Sequence, residues 1–425
     1  MSAAWDMGAE DVAAARHGSV LALRDSIPHR SDPGPERPTG TGRPESHAAG
    51  GSPRRVAVVH EWLETYAGSE RVLEQILVCF PEADLFAVAD FMPEGERGFL
   101  RGRKVRTSFI QRLPFSRRFF RHYLGLMPLA VEQLDLRGYD LVISSNHAVA
   151  KGVLTGPDQV HVSYVHSPMR YAWDLQHQYL SQVGLQRGLK AAYVRWLLAR
   201  LRGWDARASH HVDAFVANSE FIARRIRKSY GRHAVVVHPP VDIASFGYER
   251  EKDDYYLLAC RFVPYKRADM VVESFAQQPG RRLIVVGDGP ERERVHAAAR
   301  GAANIEFRGT VPQAELVRLM QRARAFVFAA EEDFGITLVE AQACGTPVIA
   351  YGRGGARDIV RPPGTERPTG LFFARQDAGA VSEAVARFEA LDPPVATEDC
   401  RANAERFSQA RFRAELHDLV ERVCG

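Results

Sequence analysis

Two glutamates eight positions apart, Glu332 and Glu340, carry the densest chemistry in the chain; they lie in AFVFAAEEDFGITLVEAQACGTPVIAY, Ala325 to Tyr351. The first stands in an acidic loop behind a predicted buried strand, Ala325 to Ala330. The second lies about one turn into a short helix that starts near Ile336 and stops at Gly345, before another buried strand from Pro347. The helix N-terminus offers unpaired N–H groups and partial positive charge to whatever sits above the sheet, which suits an anion. Amides for phosphate, flanked by carboxylates for hydroxyls, suit a phosphorylated molecule that also presents hydroxyls, as a nucleotide sugar does. Glu331, Glu332 and Asp333 also fit the simpler role of complementing the helix dipole.

Further candidates fall where strands end. Arg261 and Lys266 follow the run YYLLAC and are placed either to clamp a diphosphate or to act as plain surface charge. Gly287-Asp288-Gly289-Pro290 follows LIVV as a tight turn that permits close backbone approach, and Gly354-Gly355 supplies another on the same side. His166 ends VHVSYV and precedes Ser167-Pro168, which hold it at a sheet edge, as a ligand-facing group or as a structural histidine.

The elements that must position these groups alternate regularly. From Arg54 the sequence RRVAVVHEWLETYAGSERVLEQIL reads as a five-residue strand, a loop with Gly68 and Ser69, and an amphipathic helix carrying Val72, Leu73, Ile76 and Leu77. It lacks G-x-G-x-x-G, so a dinucleotide reading has little support. Strands are predicted at Leu85 to Ala89, Leu141 to Ser144, Val160 to His166, Ala214 to Ala217 and Ala234 to His238, with helices between them, giving one parallel-sheet domain over 54–240. The prolines of HPPVD, His238 to Asp242, stiffen a connection to a second such domain over 241–394. Its predicted strands are Tyr256 to Cys260, Leu283 to Val286, Ile305 to Arg308, Phe326 to Ala329, Val348 to Tyr351 and Gly370 to Phe373. Closing helices follow over 395–425, with Phe412, Leu416, Leu419 and Val420 at helical spacing. Residues 1–53, rich in Ala, Gly, Pro, Ser and Arg, are expected to be a disordered extension with at most a short helix around Ala9 to Arg24. The fold class is therefore α/β, two doubly wound Rossmann-like domains facing each other across a cleft where ligands bind.

Composition bounds the function. With 425 residues, 45% hydrophobic and 25% charged, the chain has room for two domains, and a net charge of +4 argues against a strongly basic nucleic-acid binder. The five cysteines are scattered without a C-x-x-C pair, which argues against a disulfide framework or zinc site and for a reducing cytoplasm. No apolar run approaches the roughly eighteen residues of a membrane span, and the N-terminus lacks the apolar core of a secretory signal. Between Arg101 and Val131 stand eight Lys/Arg and no Asp/Glu, interleaved with Phe109, Phe115, Phe119, Phe120, Tyr123 and Leu124. Such a segment suits an anionic bilayer; a solvated helix face and a nucleic-acid patch share its composition. Arg187 to Arg207, with Trp196, Leu197, Leu198 and Trp204, is a second stretch of this kind.

From about Arg54 to the C-terminus the chain resembles the retaining glycosyltransferases of family 4, which have the GT-B fold, and looks most like bacterial mannosyltransferase-like members of polysaccharide assembly. The resemblance rests on the Gly68-Ser69-Glu70 loop, VHSPMRYAWD, ANSEFIARRI, PPVD, CRFVPYKR, VVGDGP and above all EDFGITLVE, the family's E-x7-E element. It implies that Arg261 and Lys266 neutralise the donor diphosphate in place of a metal, and that Glu332 accepts hydrogen bonds from the donor sugar. By the same resemblance the amides of Phe334, Gly335 and Ile336 lie near sugar and phosphates, and Glu340 holds the ribose hydroxyls. His166 would contact the transferred sugar or reacting phosphate, and Gly68 and Gly287 would let backbone approach the donor. Where the family often has a second glycine beside Gly68, and commonly a glycine after the first glutamate, this chain has Ser69 and Asp333. The implied activity is retaining transfer of a hexose, with mannose from GDP-mannose favoured, to a glycan or polyprenyl-diphosphate-linked saccharide. It would need no metal or other cofactor and no nucleic acid, and would take place in the cytoplasm or on the inner face of the membrane. A sugar-nucleotide epimerase of similar fold and a catalytically silent membrane-surface partner are the competing readings.

Overall fold

The computed structural model describes residues 54–425; the expectations for residues 1–53 lie outside them. Short runs of β-branched and aromatic residues, buried on both faces, form two parallel sheets. The first orders its strands β3-β2-β1-β4-β5-β6-β7. These are β1 (Val56–Leu63), β2 (Asp84–Asp90), β3 (Val105–Thr107), β4 (Leu141–Asn146), β5 (Val160–Val165), β6 (Ala214–Ala217) and β7 (Ala234–Val236). The second orders its strands β10-β9-β8-β11-β12-β13, from β8 (Tyr256–Ala259), β9 (Leu283–Val286), β10 (Ile305–Gly309), β11 (Ala325–Phe328), β12 (Val348–Tyr351) and β13 (Gly370–Phe373). Every pairing is parallel, and strand order reverses at β1/β4 and β8/β11. In doubly wound sheets those reversals open a crevice at the carboxyl ends of the strands. No helix among the described residues is long and apolar enough to cross a membrane.

Alternation along each strand divides the cores. In the first sheet Val58, Leu85, Ile143 and Val162 pack on one face with Val72, Leu73 and Ile76 of the helix Gly68–Cys79. Ala57, Val59, Phe86 and Val142 face the other way, onto Met127, Val131, Leu198 and Leu201. In the second sheet Leu257, Ile284 and Phe326 meet Leu338 and Val339, while Leu258, Val285 and Val327 meet Val271 and Phe275.

Two findings add to the sequence reading. The segment Arg101 to Val131 packs as part of the first domain. It holds β3 and several short helical turns, and Ile110, Phe120, Leu124, Met127, Ala130 and Val131 are buried in the core of the first domain. Arg121 pairs with buried Glu64 and lines the interdomain cavity. The final helix, Gln409–Cys424, returns across the molecule and buries Phe412, Leu416, Leu419 and Val420 in the core of the first domain. On the way Val241 donates from its N–H to the Phe407 carbonyl at 2.8 Å, so the linker and the returning chain lie side by side.

Phe412 is fully buried with its ring centroid 5.8 Å from that of Tyr164. Phe412→Ala should therefore cost about 3–5 kcal/mol, read as a lower denaturant midpoint. An unchanged midpoint would mean that the returning helix adds no stability to the first domain.

Candidate active site

The loop Glu331 to Gly335 joins β11 to the helix Ile336–Ala343. It is shaped from beneath by a second loop after β12. There Gly354 has φ +67°, and a Cβ on it would stand 2.2 Å from the Glu332 carbonyl oxygen. The Gly355 N–H donates to that same oxygen at 2.9 Å. Only glycine permits this approach, so Gly354-Gly355 supports the acidic loop.

A cavity of ≈ 420 Å³ lies between the domains and is lined from both sides: Gly68 and His166 on the first, Glu332, Phe334, Gly335 and Ile336 on the second. A Cβ on Gly68 would touch Ile336 Cδ1 at 3.4 Å, so the domains nearly meet there. Lys266, Arg261, Gly287 and Glu340 stand outside this lining. Lys266 reaches the cavity wall through its ion pair with Glu332. Burial lowers the affinity of the Lys266 ammonium for its proton, but the Glu332 carboxylate more than offsets this and leaves its pKa raised. Arg261 is half-buried just past β8. A Cβ on Gly287 would stand 1.9 Å from the Cys260 carbonyl oxygen, so the close approach at Gly287 is made to its own domain's backbone. Glu340 is buried and accepts from Arg71 Nη1 at 2.9 Å.

That Arg71–Glu340 pair is one of several ties between the domains that the sequence reading missed. Arg225 Nη1 donates to Asp333 Oδ1 at 3.0 Å, and Arg170 Nη1 lies 3.4 Å from Asp333 Oδ2. Ser219 Oγ donates to the Asp333 carbonyl at 2.5 Å, and the Glu220 N–H donates to Asp358 Oδ2 at 2.7 Å. Asp333, which stands where the resembled family commonly has glycine, is thus the acidic end of a clasp onto the first domain. Arg170 and Arg225 lie inside VHSPMRYAWD and ANSEFIARRI, but nothing in either motif announces a partner more than a hundred positions away.

His166 is reached through a polar interior. Its Nε2 bonds Ser145 Oγ at 2.8 Å, and its N–H donates to the Asn146 carbonyl. Burial, then the neighbouring rings of His147 and His60, hold the His166 pKa well below the ordinary histidine value, so its imidazole is neutral. Burial likewise lowers the pKa of His147, which lines the cavity beside Trp62. Asn218 Nδ2 donates to the His166 carbonyl at 2.8 Å and lines the same cavity. Among the described residues no three His, Cys, Asp or Glu side chains gather as a metal-ligand set.

The arrangement sets a neutral imidazole on one wall against a cation–carboxylate pair and a helix N-terminus on the other. Such a site can hold a polyanion and orient hydroxyls. Residues 66–245 match the family model "Glycosyltransferase Family 4", and residues 243–407 match "Glycosyl transferases group 1". Over 213 residues the chain is 30% identical to a GDP-mannose-dependent monoacylated alpha-(1-6)-phosphatidylinositol monomannoside mannosyltransferase of Corynebacterium glutamicum, covering 43% of this chain and 54% of that protein. Over 216 residues it is 29% identical to a D-inositol 3-phosphate glycosyltransferase of Mycolicibacterium paratuberculosis, covering 45% and 48%. The chain spans about half the length of these relatives. In fold it is similar to sucrose-phosphate synthase from Thermosynechococcus elongatus, with a TM-score of 0.65, 18% identity, and coverage of 87% of this chain and 99% of that one.

If Asp333 clasps the domains, Asp333→Ala should weaken closure by about 1.5–3 kcal/mol, the worth of hydrogen bonds to a charged group. Small-angle scattering should then show a larger radius of gyration; a scattering curve identical to the parent's would show that the remaining ties suffice.

Proposed function

The chain belongs to the glycosyltransferases that those two family models describe, and from that premise we propose that it moves mannose from GDP-mannose to a saccharide acceptor with retention of anomeric configuration. The observation that carries this reading is the pairing of Glu332 with Lys266 on a cavity wall that faces His166. Lys266 and Arg261, with the amides at the start of the helix Ile336–Ala343, neutralise the donor diphosphate, and no metal takes part. Glu332 accepts from sugar hydroxyls. Glu340, held by Arg71, faces the ribose. Mannose and guanosine diphosphate are supported by the wording of the Corynebacterium relative's name.

The step proceeds on one face of the sugar. The acceptor hydroxyl oxygen forms the new bond to the anomeric carbon as the bond from that carbon to the diphosphate oxygen breaks. The acceptor's proton passes to the departing diphosphate, whose growing charge Arg261 and Lys266 stabilise. A double displacement would need a nucleophilic carboxylate beneath the anomeric carbon, and Glu332 is instead engaged with Lys266.

The acceptor is a glycan or polyprenyl-diphosphate-linked saccharide, met at the cytoplasmic membrane surface. The cavity lining also includes the side chains of Tyr179, Leu180, Val183 and Leu185, which suits a lipid portion. Outside it, Leu189, Tyr193 and Trp196 are exposed on the helix Leu189–Ala208, and Phe115, Leu126 and Leu129 are exposed nearby. Leu197 of that helix would contact a Cβ on Gly125 at 3.3 Å, so the helix packs beside the segment that holds Leu126 and Leu129. The proposed membrane contact takes in both, with Arg117 and Arg118 as its charge; Arg121 lines the cavity instead.

Incubation with radiolabelled GDP-mannose and a lipid extract should give labelled product whose linkage keeps the donor's α configuration. Lys266→Ala and Glu332→Ala should each lower turnover about 10²–10³-fold, and near-normal transfer by both would remove the pair from the site. Reversing Arg117 and Arg118 to Glu, with Trp196→Glu, should weaken binding to phosphatidylglycerol vesicles at least about tenfold. Unchanged vesicle binding would rule out this face as the membrane contact.

A further inference from the structure

Behind His166 runs an unbroken line of polar contacts that the reaction as described does not use. Ser145 Oγ lies 2.8 Å from His166 Nε2 and 3.0 Å from His60 Nδ1, and His60 Nε2 lies 3.3 Å from Glu70 Oε1. Ser145 and His60 are fully buried and Glu70 nearly so. Glu70 Oε2 accepts from the Ala67 N–H and from Ser69 Oγ, each at 3.0 Å. Glu70 therefore also fixes the start of the helix that carries Gly68. Burial alone would raise the Glu70 pKa, but the hydrogen bonds it accepts, from His60 first and then from the backbone and Ser69, outweigh it and leave that pKa lowered. The carboxylate is ionised and can only accept.

We propose that Glu70, His60 and Ser145 are positioning residues that decide which ring nitrogen of His166 carries its one proton. The proposal rests on the transferase reading for its purpose, though not for its test. Proton counting fixes the direction. Ionised Glu70 requires N–H at His60 Nε2. With a single proton on His60, at Nε2, Nδ1 is bare and takes the Ser145 hydroxyl proton. Ser145 Oγ in turn accepts from His166 Nε2–H. His166, itself neutral, is left with a bare Nδ1, the nitrogen not committed to Ser145, on a residue that lines the cavity. A bare nitrogen accepts a hydrogen bond from a hydroxyl and repels a phosphate oxygen. The geometry therefore assigns His166 to a hydroxyl of the transferred sugar or of the acceptor, and not to the diphosphate.

The test is nitrogen-15 NMR of the full chain labelled in histidine, at about pH 8, with His166 assigned by loss of its signals in His166→Gln. The expected spectrum has His166 protonated at Nε2 and bare at Nδ1. Glu70→Gln, whose amide can donate as well as accept, should release the constraint and give a mixed or reversed tautomer. Ser145→Ala, which removes a single oxygen, should do the same and makes the comparison on its own should Glu70→Gln fail to fold. In a transfer assay both variants should lose at least tenfold in kcat with KM for the donor within about twofold. Nδ1–H in the parent protein, or a His166 tautomer unchanged in the variants, overturns the proposal. Because the spectra need no substrate, the correct tautomer in a chain that transfers no sugar would count against the transferase reading alone.

Discussion

The loop from Glu332 to Gly335 is held by charge from two directions, and the rest of the site depends on that. Glu332 is drawn to Lys266 of its own domain, while Asp333, the next residue, is drawn to Arg170 and Arg225 of the other. The two partners lie in different domains, so one short segment serves as both the wall of the cavity and the clasp between domains. These side chains are largely shielded from solvent, and salt screens such pairs much less than surface ones.

The polar interior of the first domain follows the same economy. Burying a charge or hydroxyl is costly unless each is met, yet near the carboxyl ends of β1 and β4 the chain buries several. Glu61, fully buried, accepts from the N–H groups of His147, Ala148, Val149 and Ala150 at 2.7–3.0 Å. Lys151 and Asp205 pair with no exposure, and Trp173 and Tyr230 donate to the same aspartate. With the line from Glu70 to His166, these contacts stiffen the wall that faces the acidic loop. Departures from an apolar core gather where a fold is expected to give up local consistency for a site.

Much of the scaffold was legible because apolar runs of four to six residues between helical stretches leave few alternatives to a parallel sheet. The strands it missed or shortened are instructive. β3, Val105–Thr107, is a partly exposed edge strand inside a basic run, so its hydropathy reads as surface. β1 extends through His60 and Glu61 to Leu63, beyond the five residues its apolar run suggests. Those two residues are polar, and what buries them are amides and a serine more than eighty positions away. Of the two glutamates eight positions apart, Glu332 lines the cavity, while Glu340 stands outside its lining against Arg71. The rest of the site depended on Arg170, Arg225 and the chain behind His166, whose partners are set by packing of whole domains and leave no local pattern.

The central claim is that the segment from Glu332 along the helix Ile336–Ala343, with the strand end at Arg261 and Lys266, is the donor-binding half of an interdomain cleft. Amide hydrogen exchange with and without saturating GDP-mannose tests it most directly, since a bound ligand suppresses local opening where it binds. The account predicts slowed exchange in residues 332–343 and 260–267 together. No change in either stretch, with slowing confined to the first domain, would contradict it.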